Sequence, residues 1–288
     1  MSFTVVQVVV GGLLLGAVYA LFSSGLTLIW GMMNVVNFAH GDFVMIGMYI
    51  AYWTYVLTRQ GPLVFTLLAA LGLALLGVVV YLTMIRQIMR GPMLAQILGT
   101  FGLGMFLKYA CFWAFSSNFV TLPDKLVGGT LNVGGILLGT PQLLAGSVAL
   151  ALTLGMHLLL TRTLLGSQML AVSEDRQAAM LMGIRPDRMQ ALTWALASAA
   201  AGVAGALIAT FYYISPTVGD SLALTAFVVV SLGGFGSVPG ALVAGLAIGV
   251  IESVSAFTIG PVYKDVVVYA LFVAVLWIRP QGLLGKLA

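Results

Sequence analysis

Long apolar runs separated by short polar breaks dominate the chain. Val5–Ile29, Gly41–Leu57, Leu63–Ile85, Met93–Phe115, Leu143–Leu160, Ala191–Ile214, Leu222–Leu232, Ala241–Phe257 and Val262–Ile278 each read as a membrane-spanning helix. A full span takes roughly 20 residues at about 1.5 Å per residue. Leu222–Leu232 falls short of that, so it is expected to be a partial span or to extend irregularly. Apolar runs of helical length point to a helix bundle, because membrane barrels are built from short alternating strands. The expected fold is therefore all-α, a polytopic bundle of about eight or nine transmembrane helices.

Composition narrows the class. Of 288 residues, 61% are hydrophobic and 7% charged, against roughly 25% charged in soluble globular domains. Such a chain cannot supply the polar surface a soluble fold needs, so it is expected to sit in a lipid bilayer as an integral membrane protein. It reads as one membrane domain over residues 1–288, with a charged connection at 162–190. The opening MSFTVVQVVV lacks a basic region and leads into a stretch long enough to span, so no cleaved signal peptide is expected. Cys111 is the single cysteine, which excludes an intrachain disulfide and suits a small buried hydrophobe.

The net charge of +4 is scattered over span ends, a topological pattern and not a nucleic-acid footprint. With nine spans, Arg86 and Arg90, then Arg162, Arg176, Arg185 and Arg188, then Arg279 and Lys286 all fall on one side. Arg59, Lys125 and Lys264 fall on the other. The positive-inside rule then places 162–190 and the C-terminus in the cytoplasm and the N-terminus outside.

The connection Ala171–Gln190 holds six of the twenty formal charges: Glu174, Asp175, Arg176, Arg185, Asp187 and Arg188. Anchoring in a bilayer does not require such an island. Ala178, Ala179, Met180, Leu181 and Met182 favour a short amphipathic helix with the acidic pair near its N-terminus, as the helix dipole prefers. Gly183 can stop that helix and Pro186 hinders its continuation. Its methionines make an adaptable contact surface. Interfacial helices that lie on lipid usually carry a basic polar face; the leading charges here are acidic, which favours a protein partner.

Three further groups carry polarity into apolar surroundings. Trp30–Asp42 holds Asn34, Asn37, His40 and Asp42 between Gly31 and Gly41. It is either a helix break lining a translocation path or a plain polar turn at the surface. Ser231–Gly240 holds Gly233, Gly234, Gly236 and Gly240 before and after Pro239, which forces a tight reversal between spans, either structural or at a gate. Lys108, His157, Asp220 and Glu252 lie in or near spans, where ionisable groups are functional candidates or snorkel to an interface. Gly12/Gly16, Gly245/Gly249 and the Ala195–Ala206 stretch with Gly202 and Gly205 form small-residue faces for close helix packing. Paired glycines at 128–129 and 134–135 suggest a small hairpin cap in the loop Ser116–Pro141. The sequence holds no Cys/His metal cluster, nucleophile elbow, Walker A loop or dinucleotide fingerprint, so neither a cofactor nor an enzymatic activity is expected.

In order along the chain stand Gly16-Ala17-Val18-Tyr19-Ala20-Leu21, Asn37-Phe38-Ala39-His40-Gly41-Asp42, Ala171-Val172-Ser173-Glu174-Asp175 with Ala178-Ala179, Gly183-Ile184 and Arg188, Leu232-Gly233-Gly234-Phe235-Gly236-Ser237-Val238-Pro239-Gly240-Ala241 and Tyr263-Lys264-Asp265. By these blocks the chain resembles the permease subunits of bacterial ABC importers for branched-chain amino acids, the LivH/LivM family, and the H-type subunit more closely. The resemblance implies a type II importer permease in the inner membrane. Its partners would be a second permease, two cytoplasmic ABC ATPases and a periplasmic binding protein. It implies that Glu174, Asp175, Ala178, Ala179, Gly183 and Arg188 belong to a coupling helix that seats on the ATPase. The stretch Ile85–Pro92 departs from the family pattern, lacking its acidic residue and placing Gly before Pro. Importers of urea, short amides and other amino acids share this permease type, so the solute stays open between them and leucine, isoleucine or valine. An ion-coupled carrier and a membrane scaffold are the competing classes.

Overall fold

The computed structural model describes residues 2–123, 128–279 and 281–284; Lys125 and Lys286 lie outside them. Helix α1 runs over Ser2–Met33 and α2 over His40–Thr58. Helix α3 covers Pro62–Ile88 with a π turn at Tyr81–Ile85, and α4 covers Met93–Phe115. Strands β1 (Thr130–Val133) and β2 (Ile136–Gly139) pair antiparallel, with Val133 opposite Ile136. Helix α5 spans Thr140–Arg162. Two short helices follow, α6 (Leu164–Glu174) and α7 (Arg176–Leu181). Helices α8 (Pro186–Ile208), α9 (Val218–Gly233), α10 (Val238–Thr258) and α11 (Lys264–Ile278) complete the bundle.

Each of the nine predicted runs is occupied by a helix. Among the described residues, six helices are long and apolar enough to cross a bilayer: α1, α3, α4, α5, α8 and α10. Helices α9 and α11, at 16 and 15 residues, reach roughly 24 Å, short of the ~30 Å hydrocarbon layer. Helix α2 is long enough but carries His40 and Asp42 in its first turn. By length α9, the run expected to be partial, and α11 fall short of a full span.

The two ends are defined by cross-contacts. At one end, Asp187 bridges Arg86 at the end of α3 and Arg176 of α7 at 2.7 and 3.0 Å. Met32 of α1 packs with Met169 of α6. The amide of Leu283 donates to the Leu232 carbonyl oxygen at 2.7 Å, which brings the C-terminal segment there as well. This charged end therefore gathers the three basic connections the sequence placed on one side. The opposite end carries the hairpin, whose Gly135 lies beside Phe3 of α1.

Helix α8 is the centre of the bundle and the most buried of the six long helices. A methyl group at Gly25 of α1 would lie 2.7 Å from the Ala197 carbonyl, at Gly47 of α2 2.7 Å from that of Gly202, and at Gly77 of α3 2.7 Å from that of Trp194. Three helices thus approach its Ala/Gly face at backbone contact. The second small-residue seam joins α1 to α10: Gly12 and Gly16 lie against Gly249 and Gly245. Lipid offers no hydrophobic gain when helices associate, so dispersion at such close approach holds them together. Both motifs read from the sequence pack inside this chain, which leaves α4, with Phe106 and Trp113 largely exposed, among the faces available to lipid.

The loop expected to carry a cap does so. Gly134 and Gly135 both take positive φ (61° and 91°), the requirement of a two-residue hairpin turn matched to strand twist. Asn132 Oδ1 accepts the Gly135 amide at 2.9 Å. Val120 and Ile214 add a short antiparallel bridge that tethers the loop to the segment after α8.

The seam predicts a sharp contrast between glycines. Gly16→Leu puts side-chain atoms where a Cβ would already stand 2.5 Å from the Gly245 carbonyl. It should cost at least about 1–3 kcal/mol by overpacking and lower the melting temperature in detergent. Gly155→Ala on α5, with open space at its Cβ, should be neutral or stabilising by about 0.5–1 kcal/mol.

Candidate functional site

The charged island is two helices, not one. Glu174 ends α6, and the chain turns at Asp175, which takes extended backbone (φ −147°, ψ 106°). The Asp175 Oδ1 accepts the amides of Gln177 at 2.8 Å and Ala178 at 3.0 Å, satisfying two of the free N–H groups that open α7. The sequence expectation of an acidic pair at one helix N-terminus is thus corrected: Asp175 caps, whereas Glu174 sits at the preceding C-terminus. Helix α7 is six residues long, a short helix as expected. Gly183, with φ 80°, closes it. Its amide donates to Met180 O and that of Ile184 to Ala179 O, both at 3.0 Å, the paired bonds of a Schellman stop.

This closure fixes which side chains face outward. Ala179 is buried and seats α7 on the bundle, while Leu181 and Met182 are 89% and 82% exposed. Glu174, Asp175, Ala178 and Arg188 are exposed too. Arg176, Met180 and the stretch from Gly183 to Arg188 border a surface depression of about 510 Å³. The island is held from behind: Arg86 and Arg176 grip Asp187, and the Tyr81 hydroxyl donates to Gln190 Oε1 at 2.8 Å in a buried contact.

The second polar region lies inside the bundle. The break between α1 and α2 is narrower than Trp30–Asp42: α1 continues through Met33, and residues 34–39 alone are non-helical. Asn34 takes φ 53° and stays exposed, and the chain then turns back inward. His40 Nε2 lies 2.7 Å from Phe22 O, so α2 begins roughly 16 Å before the end of α1 along its axis. Asn37 Oδ1 accepts the Ala39 amide at 3.2 Å. Asn37, His40 and Asp42 are all buried.

Helix α9 also begins inside, against α2. A Cβ at Gly41 would meet the Gly219 carbonyl and Ala223, and one at Gly219 would meet Asp42 Oδ1 at 2.8 Å. Two helix N-termini therefore converge, each with a carboxylate in its first turn, Asp42 and Asp220. That position suits the positive end of each helix dipole. Lys108 of α4 pairs with Asp220, while the buried Asp42 Oδ1 has no hydrogen-bond partner among the described residues. The ionisable residues the sequence shows singly are thus brought together.

The glycine turn after α9 is a packing device. Gly236 donates its amide to Thr27 Oγ1 at 2.8 Å and lies against Gly31. Gly233 faces Gly240 across the turn, and Gly234 lies beside Gly282.

A cavity of about 840 Å³ opens toward the hairpin end, between the start of α1, the end of α10, the start of α11 and the α8–α9 connection. Glu252 and Lys264 line it and form an ion pair across α10 and α11. Asn34, Asn37, His40, Asp42, Gly233, Gly234 and Gly236 do not line it. The link between them is indirect: α9, whose first turn packs against Asp42 at Gly219, supplies Ser221, Leu222 and Thr225 to the wall.

A family model described as branched-chain amino acid transport system, permease component, matches residues 8–276. The chain belongs to that family. The permease is 33% identical to the BraD high-affinity branched-chain amino acid transport permease protein of Pseudomonas aeruginosa, over 97% of this chain and 95% of that protein. It is 33% identical to LivH of Escherichia coli K12 over the same shares of each. A probable LivH of Methanocaldococcus jannaschii is 30% identical over 96% of the permease and 91% of that chain. No solved structure matches it. With its apolar helices, the permease is a multi-pass membrane protein.

Sequence reasoning missed most of the cavity in this permease. Tyr19, Tyr212, Tyr213 and Gln7 line it, yet each reads singly as an ordinary interfacial or core residue. Glu252 stands out in the sequence, whereas its partner Lys264 reads as a topological charge.

The capping geometry yields a local test. Asp175→Ala should cost about 1 kcal/mol of helix stability, speeding amide exchange at Gln177 and Ala178 about fivefold by hydrogen–deuterium exchange. Asp175→Asn, an equally good cap, should leave it unchanged.

Proposed function

We propose that this permease is the membrane subunit of an ATP-driven importer in the inner membrane that carries leucine, isoleucine and valine. It works with a second permease of the same kind, two cytoplasmic ABC ATPases and a periplasmic binding protein. The solute reading is supported by the names of its relatives, the BraD and LivH branched-chain amino acid transport permeases. The engine is external: the sequence has no Walker A loop, so hydrolysis belongs to another chain.

The observation that carries the coupling role is the pair of exposed apolar residues, Leu181 and Met182, at the tip of a rigidly closed helix. Apolar side chains held out beyond charged neighbours mark an interaction site, and the charges beside them set the partner's register. The ATPase docks there, with Glu174, Asp175, Ala178 and Arg188 at the contact, Ala179 seating α7 and Gly183 shaping it. The charged end is then cytoplasmic, in accord with the positive-inside rule.

Motion at α7 reaches the bundle by a short route. Asp187 ties α7 to the end of α3 and sits in the first turn of α8. Closure of an ATPase pair therefore pulls on α3 and on the central helix together. Rigid-body shifts of packed helices about such a hinge are a usual form of two-state switching. The path for the solute is the cavity at the hairpin end, where a periplasmic binding protein delivers it. The buried break at Asn37, His40 and Asp42 and the turn at Gly233, Gly234 and Gly236 hold the helices that border it.

The test uses the complete transporter in proteoliposomes with radiolabelled leucine. Leu181→Glu with Met182→Glu alters two exposed side chains and should leave the permease folded. Uptake should fall at least about tenfold, as for loss of central contact residues, with the ATPase lost from the complex or hydrolysing without transport. Normal ATP-dependent uptake by this variant would refute the docking surface.

A further inference from the structure

We infer that the Glu252–Lys264 pair is the recognition site for a zwitterionic solute, with Glu252 taking its ammonium group and Lys264 its carboxylate. This rests on the transport reading above and names the site within it.

The pair is in an expensive place. The Glu252 side chain is 8% exposed and that of Lys264 29%. Removing two charges from water costs several kcal/mol for each, and their mutual attraction offsets this only with good geometry. Holding α10 to α1 does not require it, since the Gly12/Gly16 and Gly245/Gly249 seam already does so. A largely buried ion pair on the wall of a cavity therefore points to function.

Both partners face the same cavity, and their chemistry limits what can part them. A solute with one charge would neutralise one residue and strand the other. A neutral amide would strand both. An α-amino acid carries both signs on adjacent groups. It can enter between Glu252 and Lys264 by exchanging one ion pair for two, so that no charge is left uncompensated at any stage. Asp265 also borders the cavity, which makes its charge negative overall and disfavours a simple anion.

The rest of the wall fits an aliphatic side chain with a polar head. Leu14, Leu15 and Leu222 supply apolar surface, and Tyr19, Tyr212 and Ser221 supply hydroxyls. Few polar groups among apolar ones is the composition of small-molecule sites in general, and about 840 Å³ lies in their usual range. A site of matched charges rejects a solute lacking them more strongly than an apolar pocket rejects an ill-fitting hydrocarbon.

The decisive variant removes both charges, leaving no buried charge unpaired: Glu252→Gln with Lys264→Met, in the complete transporter reconstituted with its binding protein. The complex should assemble and hydrolyse ATP, while leucine uptake at subsaturating concentration falls at least about tenfold through a raised KM, the loss expected for charge-assisted contacts. Wild-type uptake by this double variant would show the pair to be a mere clamp between α10 and α11 and would overturn the inference. Should the double variant fail to assemble, alkylation of Thr225→Cys, on the cavity wall outside the pair, by a maleimide becomes the readout. Leucine should slow it and urea should not; equal rates overturn the site. A wild-type transporter that moves urea or a short amide and no amino acid would instead defeat the solute reading itself.

Discussion

The bundle depends on backbone-level contact between α8 and the three helices around it. Within lipid, burying apolar side chains against one another gains little, so the distance of approach decides which helices associate. Gly25, Gly47 and Gly77 admit Ala197, Gly202 and Trp194 to contact distances that any side chain would forbid. This packing sets the positions of α1, α2 and α3 about one axis. The α1–α10 seam then adds the fourth wall by the same means.

Tight packing of that kind leaves room for helices to begin inside the bundle. The starts of α2 and α9 expose unpaired amides that lipid could not satisfy, and they meet each other and protein instead. Asp42 and Asp220 lie in those first turns, opposite Lys108. Because both helices start inside, their other ends reach opposite faces, α2 the hairpin end and α9 the charged end. One wall of the cavity and the turn at Gly233–Gly236 are consequences of where these two helices start.

Much of this was legible in the chain. Apolar runs marked nine helices, and Gly12/Gly16, Gly245/Gly249, Gly202 and Gly205 marked the packing faces. Gly134-Gly135 marked the hairpin and Gly183 the helix stop. The family resemblance read from ordered motifs agrees with the match over residues 8–276. Local reading of polar groups reached less far. Trp30–Asp42 reads as either a helix break or a polar surface turn; the break is confined to residues 34–39, and Asn37 and His40 bond backbone atoms inside the bundle. Glu174-Asp175 looks like one cap, but adjacent residues fall on two helices once Asp175 turns the chain.

The sequence by itself determined the class of protein, the helical runs, the ends that share positive charge and the faces that pack closely. These follow from composition and period, which every residue carries locally. The tertiary structure alone decided which charges meet. Lys108 and Asp220 are separated by 112 residues and Arg86 and Asp187 by 101, distances over which no periodicity speaks. It also decided that the cavity gathers residues from α1, β2, α5, α8, α9, α10 and α11 with the connections between them. Such a site exists only after the glycine contacts have drawn those helices around a common space.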